Sequence, residues 1–149
     1  MYYRASSALA RLAKGTANLK MFMNAGATAP EWAAGIKAIQ TTRILDAANG
    51  DVGYTGFGFK PSAIIAFGIG YSGITFGMNA GNQYYCYTIY GSAPTYTIGG
   101  TANEILRFHD GTNTESGVLK SFDADGITIT WTKTNGISDT GYITLIGFR

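Results

Sequence analysis

Between residues 127 and 132 the chain alternates strictly. Ile127, Ile129 and Trp131 put three large apolar groups on one face of an extended segment, and Thr128, Thr130 and Thr132 put three hydroxyls on the other. That period of two predicts a half-buried strand. It prevails from Ile36 onward, and it predicts further strands over Ser62–Gly70, Ile74–Met78, Gln83–Tyr90, Thr95–Ile98, Ile105–His109 and Gly117–Phe122. Tyr142–Phe148 differs: Ile143 and Leu145 oppose Tyr142, Ile146 and Phe148, so both faces are apolar and the strand is expected at the centre of a sheet. Turns are predicted at 79–82, 91–94, 99–103, 110–113, 123–126 and 135–139, where Gly, Asn and Asp supply positive φ or side-chain caps. About eight or nine short strands with no intervening helix of roughly 10 to 15 residues argue for an all-β fold, an antiparallel, jelly-roll-like β-sandwich rather than a βαβ sheet.

The opening segment obeys a different pattern. Thirteen of the first 50 residues are Ala, and helix-tolerant sequence gives way to strand-and-turn sequence near Ile36. Ser6 or Ser7 could cap a helix with Leu9, Leu12 and Ala13 on one face, but two turns are marginal without a partner. Residues 25–35, with Gly26, Pro30 and Gly35, read as a linker or extended strap whose Trp32 needs somewhere to bury itself. The expected organisation is thus an extended or short-helical N-terminal arm and strap over 1–35, followed by a sandwich over 36–149.

Charge follows the same division. Residues 1–43 carry six basic side chains against Glu31 alone, a net of +5, whereas residues 44–149 carry five basic and eight acidic ones, a net of −3. The arm's cations are spaced by Ala, Leu and Ser rather than interleaved with aromatics, so the pattern argues against nucleic acid as a partner and an acidic protein neighbour fits as well. The acid-free start resembles a transit peptide in composition only. With 149 residues, 46% of them hydrophobic, the chain has enough apolar sequence for a core. The single cysteine, Cys86, excludes an intrachain disulfide scaffold. No apolar run reaches the roughly 18 residues of a membrane-spanning helix, and no membrane partner is expected.

Candidate chemistry is thin. Gly68-Ile69-Gly70-Tyr71-Ser72-Gly73 has the spacing of a dinucleotide fingerprint, but strand-like sequence follows where a helix is needed and no carboxylate stands near Ala93. A glycine-rich strand end where chains approach closely is the better reading. Asp123-Ala124-Asp125-Gly126 resembles the start of a calcium loop, yet the distal ligands are replaced by a strand, and Asp125-Gly126 reads as a hairpin turn. His109, beside Asp110, lacks a Gly-x-Ser-x-Gly nucleophile, and one His with one Cys cannot fill a zinc site unless carboxylates or neighbouring subunits complete it. Cys86 lies in Tyr84-Tyr85-Cys86-Tyr87 and reads as a small core residue. No cofactor, metal or catalytic residue is assigned, and glycan hydrolysis would need a cleft with paired carboxylates where these acids sit in turns. Tyr84, Tyr85, Tyr87, Tyr90 and Tyr96 cannot all enter a thin core, so some are expected at a surface, as cross-strand pairs, a subunit interface or contacts with carbohydrate or protein.

Three segments carry a resemblance. Residues 9–35, from Leu9-Ala10-Arg11-Leu12 to Ala29-Pro30-Glu31-Trp32, resemble the attachment leader of tailed-bacteriophage fibre and appendage proteins. Tyr54-Thr55-Gly56-Phe57-Gly58-Phe59-Lys60-Pro61-Ser62-Ala63-Ile64-Ile65 is similar to the opening of small β-sandwich domains in phage tail fibres and other virion surface proteins, and 121–127 with 141–148 resemble their closing strands. The resemblance implies a non-enzymatic structural protein of the virion, usually a homotrimer. Its arm would anchor to other virion proteins, of capsid or tail, through Leu9, Leu12, Phe22 and Trp32. Its sandwich would face outward with Tyr and Thr toward neighbours, a host protein or a host glycan. No repetitive shaft is present, which leaves room for a short head or tail appendage or a capsid decoration protein that cements the shell. A free sugar-binding lectin of the same fold is the alternative from another class.

Overall fold

A computed structural model describes residues 2–5, 8–11, 14–15, 19–23, 28–70, 73–80, 84–92 and 95–149, with side chains described at 14–15, 19–23, 28–70, 73–80, 89 and 103–149. The protein is all-β, with antiparallel pairing throughout and no helix among the described residues. Two small hairpins come first: β1 (Tyr2–Ala5) with β2 (Ala8–Arg11), and β3 (Lys20–Met23) with β4 (Pro30–Ala33). Ten strands follow: β5 (Ile36–Ile44), β6 (Gly50–Thr55), β7 (Ala63–Gly70), β8 (Gly73–Ala80), β9 (Tyr84–Ser92), β10 (Thr95–Ala102), β11 (Leu106–His109), β12 (Thr114–Asp123), β13 (Gly126–Lys133) and β14 (Thr140–Phe148). They form a six-stranded sheet in the order β10-β9-β8-β7-β14-β5 and a four-stranded sheet in the order β11-β12-β13-β6.

Side chains of both sheets meet in one core. The four-stranded sheet contributes Tyr54, Leu106, Phe108, Leu119, Ile127, Ile129 and Trp131; the six-stranded sheet contributes Ile64, Ala66, Ile143 and Leu145. Ile127, Ile129 and Trp131 are fully buried, while the intervening threonines are half-buried or exposed, as the alternation predicts. β11 packs across β7, β8 and β9, and the ring of Phe108 lies in a bay on that sheet. A Cβ at Gly68 would stand 2.7 Å from Phe108 Cζ, and one at Gly141 would stand 2.9 Å from the same atom. The first half of the fingerprint-like glycine string is therefore inner-face strand, cleared for an aromatic ring, and β8 rather than a helix follows it.

Three sequence expectations need correction. Residues 8–11 are strand, paired from Ala8↔Ala5 to Arg11↔Tyr2, and not the first turn of a helix, since two turns lack the length to nucleate alone while a short hairpin supplies its own pairing. Strand takes up part of the turns expected at 79–82 and 99–103, because β8 runs to Ala80 and the Gly99-Gly100 pair is absorbed into β10 opposite Thr88 and Tyr87, while residues 81–82 lie outside the described residues. β6 has no clean apolar period, as Gly50, Asp51 and Gly53 interrupt it; pairing to β13 makes it a strand, with Tyr54 opposite Ile127 and Val52 opposite Ile129.

The loop after β6 brings two distant segments together. Gly56 and Gly58 adopt φ of 104° and 76°, left-handed conformations that carry Phe57 and Phe59 into the core. The Asp125 carboxylate, in the two-residue turn between β12 and β13, accepts hydrogen bonds from Gly56 N and Gly58 N, and its carbonyl accepts from Gly56 N and Phe57 N at 3.0 and 3.2 Å. Gly147 of β14 leaves room for the Phe57 ring. The acidic turn that resembles a calcium loop is thus a structural acceptor of backbone amides.

Candidate functional site

Alternation decides what the six-stranded sheet shows on its other side. β14 lies between β7 and β5, so its inward Ile143 and Leu145 are buried, and its outward Tyr142 is 64% exposed. On the same outer face Ile69 pairs directly with Tyr142 and with Ile74, and Phe67 pairs with Phe76 at a ring-centroid distance of 5.0 Å. Ile69 is 61% exposed and Phe67 43%; Ile74, Phe76 and Met78 are exposed as well. Every described position on this face of β5, β14, β7 and β8 is uncharged. A shallow trough crosses it, floored by Phe67, Ile69 and Tyr142 and edged by Gln40, Thr42 and Thr144. β14 is paired on both sides but stands next to the edge strand β5 rather than at the centre of the sheet, and the covering layer that its two apolar faces implied is absent, since among the described residues none covers Tyr142 or Ile69.

Backbone register divides the tyrosine-rich segment between the two sides of the sheet. Positions 85 and 87 lie opposite Met78 and Phe76, and position 96 lies opposite Gly91, on the same side of β10 as 98 and 100. Positions 84, 86 and 90 register with Asn79, Gly77 and Gly73 on the other side of the sheet. The side chains of Tyr84, Tyr85, Tyr87, Tyr90, Tyr96 and Cys86 lie outside the described residues.

The second region is the β3–β4 hairpin. Phe22 and Trp32, both expected to anchor, occupy opposite faces: Trp32 pairs with Met21, while Phe22 pairs with Glu31. Phe22 is half-buried beneath the Arg149 guanidinium, 5.1 Å from its ring. Arg149, the last residue, also bonds the Glu31 carboxylate, donates to Met23 O at 3.2 Å, and donates its backbone amide to Gly35 O at 3.0 Å. Met21, Met23 and Trp32 remain exposed. Leu9 lies in β2, with its side chain outside the described residues, and Leu12 lies outside them altogether. Met21 and Met23 were missed because the segment gave no period long enough to read as a strand. Beside the hairpin a groove lined by Met23, Phe122, Lys60, Lys120 and Arg149 gathers three cations, of which Lys120 pairs with Asp51 and Arg149 with Glu31.

Elsewhere the polar groups serve the fold. Arg43 is buried, donates Nε–H to Glu115 Oε1 at 2.6 Å and Nη2–H to Ala48 O at 3.2 Å, and stacks 4.5 Å from the Trp131 ring centroid. Trp131 in turn donates Nε1–H to the Tyr54 hydroxyl at 3.1 Å. Burial pushes the Glu115 carboxyl above the ordinary carboxylate range, and the Arg43 hydrogen bond opposes that shift. His109 Nδ1 accepts the Gly111 amide at 2.6 Å, and burial and Arg107 lower its pKa while Asp110 raises it. No group of three potential metal ligands occurs among the described residues, and no helix there is long and apolar enough to cross a membrane.

Together these features define a class, an all-β protein that presents an uncharged apolar sheet face and a short hairpin pinned to its C-terminal residue. Comparison of the chain with protein-family models, curated proteins and solved structures finds no match.

Proposed function

We propose that this protein is a non-enzymatic structural component of a bacteriophage virion, a short fibre or appendage. Its residues 1–35 fasten to the particle, and its body, a jelly-roll-like sandwich of the two sheets, is carried outward as a homotrimer. The observation that carries the reading is the hairpin. It belongs to the arm, whose residues 1–35 carry four basic side chains against Glu31, a net of +3, it is tied to the acidic body through Arg149, and it keeps Met21, Met23 and Trp32 exposed. Cations steer a tether toward an acidic neighbour, and exposed Met and Trp supply contact area once it arrives. The resemblance of residues 9–35 to phage attachment leaders supports the same division of labour.

Deleting residues 1–35 tests the reading. The expected result is loss of the protein from purified particles, with the remaining chain retaining its β-rich circular dichroism and cooperative melting. Retention on the particle without the arm would refute the anchoring role. In particles lacking the whole protein, reduced adsorption to cells supports a fibre; loss of resistance to heat or osmotic shock with normal adsorption would instead make it capsid cement.

A further inference from the structure

We propose that the outer face of the six-stranded sheet is a homotypic interface, the surface through which copies of this chain pack against one another. This deepens the homo-oligomer reading above by naming its contact surface, and it rests on that reading.

Four observations converge on a second copy as the occupant. The exposed residues are large and contiguous: Phe67, Ile69, Ile74, Phe76, Met78 and Tyr142 are neighbours across β14, β7 and β8 by register, not scattered singly. The face is neutral at every described position of β5, β14, β7 and β8, so a copy of itself meets no like charge there, whereas an acidic or basic partner would find nothing to pair with. Its polar groups are few, chiefly Gln40, Thr42 and Thr144 along one side of the trough. A sugar laid across Ile69, Ile74 and Met78 would leave most of its hydroxyls without partners, at a cost an apolar protein surface does not incur. The area is substantial. The four strands β5, β14, β7 and β8, spaced about 4.8 Å apart and each presenting about eight residues at roughly 3.4 Å per residue, cover on the order of 520 Å², well above an isolated exposed side chain and a large part of the ~800 Å² per partner of a standard stable interface.

The rows continue in register into β9, where positions 85 and 87 face Met78 and Phe76 across the strands. A closed arrangement of copies around an axis would leave none of this apolar surface exposed.

The test is the solution mass of the full chain, by sedimentation velocity at about 10 μM, a concentration well above the Kd expected of a standard interface. Wild type should sediment as an oligomer. Ile69→Lys should shift the mass to that of one chain, and Ile69→Val should not. Both substitutions sit on an exposed outer position, so far-ultraviolet circular dichroism should stay unchanged. Should Ile69→Lys fail to fold, Tyr142→Lys, on the adjacent strand and equally exposed, reads the same surface. A folded Lys variant that keeps the wild-type mass overturns this interface while leaving the oligomer reading intact. A monomeric wild type, with or without binding to a glycan array, overturns both.

Discussion

Glu115 is a buried carboxylate whose Oε2 has no hydrogen-bond partner among the described residues, and its Oε1 is held by the Arg43 guanidinium. Removing one partner strands the other in a place water does not reach. Arg43→Ala is expected to cost about 3–5 kcal/mol in urea unfolding, and Arg43→Met with Glu115→Leu together much less, because the apolar pair leaves no uncompensated charge beside Trp131. A double variant as unstable as the single one would sink that account. Two half-buried aspartates act in the opposite direction. Asp110 is held below the ordinary carboxylate range first by the Asn113 amide, and Asp123 first by the Ser121 hydroxyl and then by that of Thr128. Lowered folded-state values mean that their contribution is present above the unfolded value, about 3.9, and is lost as pH falls through the folded ones. The raised Glu115 contributes the reverse, since the native state takes up its proton at higher pH than the unfolded chain, so its share of stability grows as pH falls toward the normal glutamate range. The urea midpoint of Asp110→Asn/Asp123→Asn should therefore decline less steeply than wild type in strong acid.

At the scale of elements, the strands with the cleanest alternation were readable from sequence and the others were not, for a common reason. In β13 the buried Ile127, Ile129 and Trp131 and the outward threonines each report the side they face. In β6, glycine contributes nothing to a period of two, and partner strands supply the pairing. β3 and β4 are short, and Glu31 of β4 is bonded to Arg149, 118 residues away in sequence. None of the hairpin's residues belongs to the core cluster, so the contact is expected to loosen without disturbing it. Arg149→Ala should raise amide exchange across Lys20–Met23 and Pro30–Ala33, while exchange in β13 and β14 stays at wild-type levels and the melting temperature moves little. Equal loosening of β14 would show that the hairpin and the sheet unfold as one unit.

For the whole molecule, the consequential feature is the mismatch between two sheets and three apolar faces. The four-stranded sheet and the inner face of the six-stranded sheet supply one core, and the outer face is left over. Burial of that remaining face by association is expected to give a mass of three chains in solution, measured by light scattering. The measured multiple decides between threefold and twofold packing. The candidate anchors illustrate how far pattern alone reaches: Trp32 and Phe22 are both aromatic residues of the arm, and only their opposite registers distinguish the exposed one from the one beneath Arg149.

The order of apolar and polar side chains by itself settled that the chain forms strands and that residues 123–126 turn the chain between two of them, because each follows from geometry within a few neighbouring residues. Tertiary structure decided which glycines make room for Phe108 and Phe57, that Arg43 must answer Glu115, and that Ile69 and Tyr142 stay at the surface. Those outcomes depend on what lies across the fold from each residue, and a local period records which side of a strand a residue takes but not whether anything stands opposite it.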